Sequence, residues 1–234
     1  MSNFCTLDPT KSGNPVDIRF KSTVRCLTIG PSFSGKTSFA YDLIKYRQEL
    51  FELPPKRVIV FYSTMQPLYE KMSNQFGNDF IQFQQGLPTE EKVQNFVGQV
   101  EFEGQQQLII IDDFTLELDK IVAKLFNVIS HHHSCHVMAL VHRLFSKTPS
   151  MRDIFMSANY LILKKNPRDM SEYRVLARQL EPANAQGFLE ILKKACDRPY
   201  GYLICNLSQT AKDTDKYLTD IFPEEYPPKL FLLE

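Results

Sequence analysis

From Val24 onward, short runs of β-branched and other apolar residues alternate with segments whose apolar residues recur every three or four positions. That alternation predicts a parallel β-sheet covered by helices. "VRCLTI" (Val24 to Ile29) is the first strand. In "KTSFAYDLIKYRQEL" after it, Phe39, Leu43, Tyr46 and Leu50 share one face, so a helix follows until Pro54 and Pro55 close it off. "RVIVFYS" (Arg57 to Ser63) is almost continuously apolar, as a strand buried on both faces must be. "DFIQFQ" (Asp79 to Gln84) is a shorter third strand, and a polar helix is expected over Thr89 to Gln99. "LIIIDDF" (Leu108 to Phe114) is the most apolar run in the chain and ends abruptly in two carboxylates. Beyond it the pattern predicts a helix from about Leu118 to Ser130, a strand His136 to His142, a helix Pro149 to Ser157 and a strand Tyr160 to Lys165. Helices over Met170 to Leu180 and Ala183 to Cys196 and a strand Gly201 to Leu207 follow. Pro223, Pro227 and Pro228 predict an extended tail.

Between the first strand and the first helix stands "GPSFSGKTS", which fits G-x-x-x-x-G-K-[ST] at Gly30, Gly35, Lys36 and Thr37. A chain of this length meets the pattern by chance about once in a hundred, before the strand and helix context is required. Each position has a chemical reason. Backbone N–H groups of Ser32, Phe33, Ser34, Gly35, Lys36 and Thr37 form a concave anion nest reinforced by the helix N-terminus, and Gly30 and Ser38 complete the expected nucleotide-binding set. Lys36 reaches the β- and γ-phosphates of ATP, and Thr37 ligates Mg2+.

A phosphate loop alone does not separate kinases, GTPases and motor ATPases; the second acidic run does. "LIIIDD" puts Asp112 at the tip of a buried strand as the magnesium-site carboxylate, with Asp113 placed to orient an attacking water. No N-K-x-D guanine-reading motif is present. The expected fold class is therefore α/β, a P-loop NTPase of the additional-strand type, with a mainly parallel sheet and helices on both faces. In that arrangement a further strand lies between the phosphate-loop strand and the Asp112 strand and ends in a polar γ-phosphate sensor. "HVMALVH" ends in His142, whose imidazole can bond a phosphate or a water.

Composition narrows the partners. Lys+Arg and Asp+Glu both number 27 in 234 residues, so no global basic field advertises nucleic acid. The local excess lies from His142 to Arg178, where Arg143, Lys147, Arg152, Lys164, Lys165, Arg168, Arg174 and Arg178 face only Asp153, Asp169 and Glu172. That segment tracks phosphates, supplies an arginine finger to a neighbouring subunit from Arg152 or Arg168, or is a set of solvated helix faces. "HHHSCH" (His131 to His136) invites a zinc reading, but adjacent histidines at a helix end point in different directions, and a polar helix-to-strand turn accounts for it better. Five scattered cysteines without a C-x-x-C pair read as reduced thiols, which predicts an intracellular protein. Neither a secretory signal nor an apolar run of membrane-spanning length is read, so no membrane partner is expected. One domain is expected, at 21–222, with an N-terminal arm at 1–20 and an extended C-terminal tail at 223–234.

Taken together, "GPSFSGKT", "YSTMQPLYE", "QQGLP", "LIIIDDF", "ALVHRLF" and "ANYLILKKNPRDMSEYRVLARQLEP" resemble the FtsK/HerA-type genome-packaging ATPases of double-stranded DNA viruses, the poxvirus-type family that also occurs in Maverick/Polinton elements. The likeness runs from about Val24 to Pro223; "QPLY" and the block from "KNPRD" to "LARQ" are its most particular parts. The resemblance implies a RecA-like core, a homo-oligomeric ring (hexamer or pentamer), ATP hydrolysis at subunit boundaries and translocation of double-stranded DNA into a capsid through contacts with capsid or portal-vertex proteins. The family commonly has glutamine where this chain has His142, and related cellular translocases usually have glutamate where it has Asp113. A helicase or DNA-repair ATPase of the same fold, and a nucleotide-binding capsid assembly factor without turnover, are the alternatives on the same residues.

Overall fold

The computed structural model describes residues 3–9, 16–21, 23–113, 120–145, 149–225 and 227–234. Among them ten strands run in chain order as β1 (Phe4–Leu7), β2 (Arg25–Ile29), β3 (Arg57–Tyr62), β4 (Ile81–Gln85), β5 (Gln107–Asp112), β6 (Cys135–Val141), β7 (Tyr160–Lys164), β8 (Tyr202–Asn206), β9 (Tyr217–Thr219) and β10 (Lys229–Leu233). The helices are α1 (Lys36–Lys45), α2 (Arg47–Leu50), α3 (Pro67–Phe76), α4 (Glu90–Val97), α5 (Lys120–Lys124), α6 (Ser130–His132), α7 (Pro149–Ser157), α8 (Ser171–Leu180) and α9 (Ala185–Ala195), with a π-helical turn over Leu125–Ile129 joining α5 to α6. Phe114 and Leu118, expected to end β5 and to begin α5, lie outside the described residues, as does Lys147.

The chain divides into two compact units. The larger, 19–28 with 37–159, carries strands in the order β2-β6-β5-β3-β4. Neighbours from β6 to β4 are parallel. Strands β3, β5 and β6 are buried along nearly their whole length, the signature of a parallel sheet covered on both faces. Phe39 and Leu43 of α1, Val93 and Phe96 of α4, and Leu125, Phe126 and Ile129 of the π turn are buried with them. The strand order has β6 between β2 and β5, so the strand ending in Asp112 is not the neighbour of the strand that precedes the glycine loop. This is the additional-strand arrangement of P-loop NTPases, as the sequence predicts.

The other unit, 1–18 with 29–36 and 160–234, carries the order β1-β10-β9-β8-β7. Its pairings are antiparallel, including β7 with β8 and β10 with β1. A mainly parallel sheet is thus right for the larger unit and not for this one. The direction of a strand is not written in its own residues. Residues 1–20 and 223–234, expected as an arm and a tail, contain β1 and β10, paired from Phe4 opposite Leu233 to Leu7 opposite Leu230.

Two local differences have physical causes. The predicted single helix over Lys36–Leu50 breaks at Tyr46, whose φ of −102° and ψ of 25° separate α1 from α2. Helix α3 is not predicted at all, because its buried stripe is only Tyr69 and Met72 within an otherwise polar segment. Its start is marked by Pro67 in the first turn and its end by Gly77 at φ 79°.

The histidine cluster resolves into a turn and one core residue. His132 ends α6, and His133 and Ser134 form the turn into β6; the side chain of His131 lies outside the described residues. His136 is fully buried, its Nδ1 accepting the Val24 N–H at 2.9 Å, so that Nε2 carries the proton and donates to the Leu53 carbonyl at 2.8 Å. Burial pushes this imidazole down to about 4, so the folded protein holds it neutral. Burial likewise pushes the Cys26, Cys135 and Cys196 thiols up to about 12, which leaves them unreactive.

The histidine makes stability depend on acid. An unfolded His136 takes up a proton below its ordinary value near 6.5 while the folded one resists until about 4. Its contribution is therefore complete above about pH 6.5 and falls as pH drops toward 4, by a total of about 3 kcal/mol. Urea unfolding at pH 7, 5.5 and 4.5 should show this decline in the wild type, and His136→Asn should show a shallower one.

Candidate functional site

On the loop side, in the unit that holds 29–36, the backbone admits few side chains. A Cβ at Gly30 would lie 2.6 Å from Lys164 Cβ and 2.8 Å from Ser34 Oγ, so only glycine fits. Gly35 turns at φ 82° and Phe33 at φ 63°, with the Phe33 side chain 98% exposed. Lys36 is 7% exposed; its Nζ donates to the carbonyls of Gly30 at 2.9 Å and Pro31 at 3.0 Å. Ser34 Oγ is buried without a hydrogen-bond partner. A buried hydroxyl in that state calls for a polar group that the described residues do not supply. A loop closed to side chains at Gly30, carrying an inward amine and an orphaned hydroxyl, fits a bound phosphate.

The carboxylates lie in the larger unit. Asp112, the last residue of β5, is 2% exposed. Its Oδ2 accepts from Thr37 Oγ1 at 2.9 Å and from Tyr69 Oη at 2.7 Å. Burial, with the Asp112 charge beside it, pushes the Tyr69 phenol far above its ordinary value, so it stays protonated and donates. One hydroxyl and one carboxylate fit Mg2+, which takes few protein ligands and completes its shell with water and substrate phosphate. Thr37 and Asp112, read separately from the sequence, are thus brought into direct contact.

The register of the parallel strands gathers the second group. Tyr62 of β3 stands opposite Asp112 of β5, and Asp112 opposite Leu140 of β6. The three strands therefore end at nearly one level, and Ser63, Asp113 and His142 follow at their carboxyl ends, where open α/β sheets bind their ligands. His142 Nε2 lies 2.9 Å from Asp113 Oδ1, and Ser63 Oγ donates to Asp113 Oδ2 at 3.4 Å. Asp113 adopts φ 67°, unusual for a residue with a side chain, and its side chain is 43% exposed. Histidine and aspartate, expected in separate roles, form one hydrogen-bonded pair.

The remaining predicted residues divide. Ser32 and Ser38 are exposed along the loop and the first turn of α1. Arg152 is exposed on α7 of the larger unit, and Arg168 is exposed in the turn after β7 of the other, where Asn166 Oδ1 accepts the backbone N–H groups of Arg168 and Asp169. Arg143, Lys165, Arg174 and Arg178 are exposed as well. Lys164 is not available to track phosphates: it is 2% exposed and donates to the Tyr200 carbonyl at 3.0 Å. Two residues of the site escaped the sequence. Tyr69 belongs to the "QPLY" block, a visible signal without a visible role, and Ser63 carried no signal beyond its place at a strand end.

No protein-family model matches the chain, and no curated protein matches it. Among solved structures it is similar to the cytoplasmic domain of EssC, at 12% identity and a TM-score of 0.43 over 65% of this chain and 33% of that one. It is also similar to the cytoplasmic domain of the Thermomonospora curvata type VII secretion ATPase EccC, at 12% identity and a TM-score of 0.48 over 95% and 27%. A third similarity is to Thermomonospora curvata EccC (ATPases 2 and 3) in complex with a signal sequence peptide, at 11% identity and a TM-score of 0.38 over 69% and 34%. The chain spans about a third or less of the length of these proteins. Among its described residues no helix is long and apolar enough to cross a membrane.

The Tyr69 hydrogen bond gives a stability test. Tyr69→Phe removes one of the donors to a buried carboxylate and should lower unfolding free energy by about 1–3 kcal/mol, read as a lower urea midpoint at unchanged slope.

Proposed function

We propose that this protein is a Mg2+-dependent ATPase motor that translocates double-stranded DNA into viral capsids, working as a ring of identical subunits. The observation that carries the ATPase part is the pairing of Thr37 with Asp112, one residue from an Asp113 held by His142. A chain with no use for Mg-ATP has no evident reason to place a hydroxyl, a buried carboxylate and an oriented second carboxylate around the end of one strand. The DNA and capsid parts rest on the sequence motifs that resemble viral packaging ATPases.

Bound Mg-ATP supplies the phosphoanhydride to be cleaved and the cation that neutralises charge on its oxygens. The loop N–H groups and Ser34 Oγ receive phosphate oxygens, and Lys36 exchanges its carbonyl partners for the β- and γ-phosphates. Thr37 and Asp112 would hold the magnesium ion. Asp113 orients the attacking water and takes up its proton. His142 pins Asp113 through Oδ1 and so leaves Oδ2, shared only weakly with Ser63, as the face that meets water. Arg152 and Arg168, both exposed, are the side chains offered to a neighbouring subunit's phosphates.

Steady-state ATP hydrolysis, alone and with linear duplex or single-stranded DNA, tests this reading. Turnover stimulated by duplex DNA is expected, with Lys36→Ala abolishing it. Preference for single strands would favour a helicase, and tight ATP binding without turnover under any condition would favour an assembly factor.

The Asp113 and His142 roles separate further. Asp113→Asn should lower turnover at least about 100-fold while ATP still binds. His142→Gln, whose amide can still donate to Asp113, should retain more turnover than His142→Ala. Near-normal hydrolysis by both Lys36→Ala and Asp113→Asn would sink the assignment.

A further inference from the structure

Five residues other than glycine have a positive φ among the described residues: Phe33, Asp113, Ser134, Tyr200 and Asp220. Tyr200 differs from the others in what holds it and in what it offers. Its backbone, at φ 59°, is in a region that side-chain-bearing residues occupy only at a cost. Yet the residue is 69% exposed, so little burial of the aromatic face offsets that cost.

The conformation is imposed from three directions. The buried Lys164 donates its Nζ to the Tyr200 carbonyl at 3.0 Å. The following Gly201 has no room for a side chain, since a Cβ there would lie 2.7 Å from the Ala195 carbonyl oxygen, and its N–H donates to the Arg198 carbonyl at 3.1 Å. On the third side the ring lies against the glycine loop: a Cβ at Gly35 would come within 3.0 Å of Tyr200 Cδ1. The chain thus fixes an aromatic ring beside Gly35 of the phosphate loop and leaves most of it in solvent.

An exposed aromatic face, set next to a loop read as phosphate-binding, matches the flat base that a nucleotide carries beyond its phosphates. Stacking asks only for a π-face, needs no hydrogen-bond code, and is tolerant of which base is presented. We propose that Tyr200 stacks on the base of the bound nucleotide and that the strain at φ 59° is retained because it aims the ring there. Lys164 is a positioning residue in this scheme, acting through the Tyr200 carbonyl. The proposal rests on the nucleotide-binding reading of the loop.

A base-dependent titration separates the two. Binding of the non-hydrolysable imido analogue of ATP and of inorganic tripolyphosphate, each with Mg2+, is measured by calorimetry on the full chain. The comparison covers wild type, Lys36→Ala, Tyr200→Ala, Tyr200→Asn and Tyr200→Phe. Asparagine is included because it tolerates a left-handed backbone, so its variant keeps the loop even where alanine does not. Tyr200→Ala and Tyr200→Asn should weaken the ATP analogue about tenfold, the order that one stacked base contributes, while tripolyphosphate binds as in wild type. Tyr200→Phe, which restores the ring face, should bring the analogue back to within about twofold of wild type. Unchanged analogue affinity in Tyr200→Asn, or an equal loss for the analogue and tripolyphosphate, overturns the stacking role while leaving the nucleotide reading intact. Failure of wild type to bind either ligand, or undiminished binding by Lys36→Ala, overturns that reading and the stacking role with it.

Discussion

A carboxylate removed from water must find donors, and the buried Asp112 is where that requirement organises the larger unit. An uncompensated charge at such a position costs several kcal/mol, enough to consume a large part of a domain's stability. Thr37 at the start of α1 and Tyr69 in α3 meet the demand from two helices, tying both to the end of β5. The interaction that stabilises the carboxylate is also the one that sets a hydroxyl beside it. Structure and proposed chemistry draw on the same three side chains.

Left-handed backbone recurs in both units at residues that the proposed chemistry uses. Phe33 and Gly35 turn within the glycine loop, Asp113 turns directly after β5, and Tyr200 lies against Gly35. Two of these positions are held by specific contacts: a hydrogen bond to His142 for Asp113, and a buried lysine with a crowded glycine for Tyr200. Unfavourable backbone persists where surrounding contacts over-determine it, and such sites cluster where a side chain has to be aimed. Asp220, in contrast, is buried and bonded to Arg198 and Lys229, an arrangement that needs no ligand to explain it.

The order of elements was largely legible because each carries its own local pattern. Runs such as Val58–Phe61 and Leu108–Ile111 are apolar on both faces, and α9 has a broad buried stripe through Phe188, Ile191 and Leu192. Where the stripe narrows to Tyr69 and Met72, as in α3, the pattern falls below notice. The three-residue β9 and the terminal β1 are not read as strands, and β10 is read only as an extended tail, for a related reason: their stability comes from antiparallel partners distant in the chain rather than from their own periodicity. The basic segment misled in one respect, since Lys164 counts as a surface cation in the sequence and is buried beneath Tyr200 in the fold.

The sequence by itself determined the glycine loop, the lysine and hydroxyl that follow it, and the two carboxylates at a strand end. These are contiguous motifs, and their chemistry depends on spacing over a few residues. Only the tertiary structure decided which polar groups meet. Asp112 draws its donors from residues 75 and 43 positions away, and Asp113 finds His142 across 29. Such pairings are set by strand order, and by a register that levels the ends of β3, β5 and β6, neither of which is encoded in any single segment. The antiparallel sense of the second set of strands and the exposed ring of Tyr200 belong to the same class, because direction and exposure are properties of what surrounds a residue.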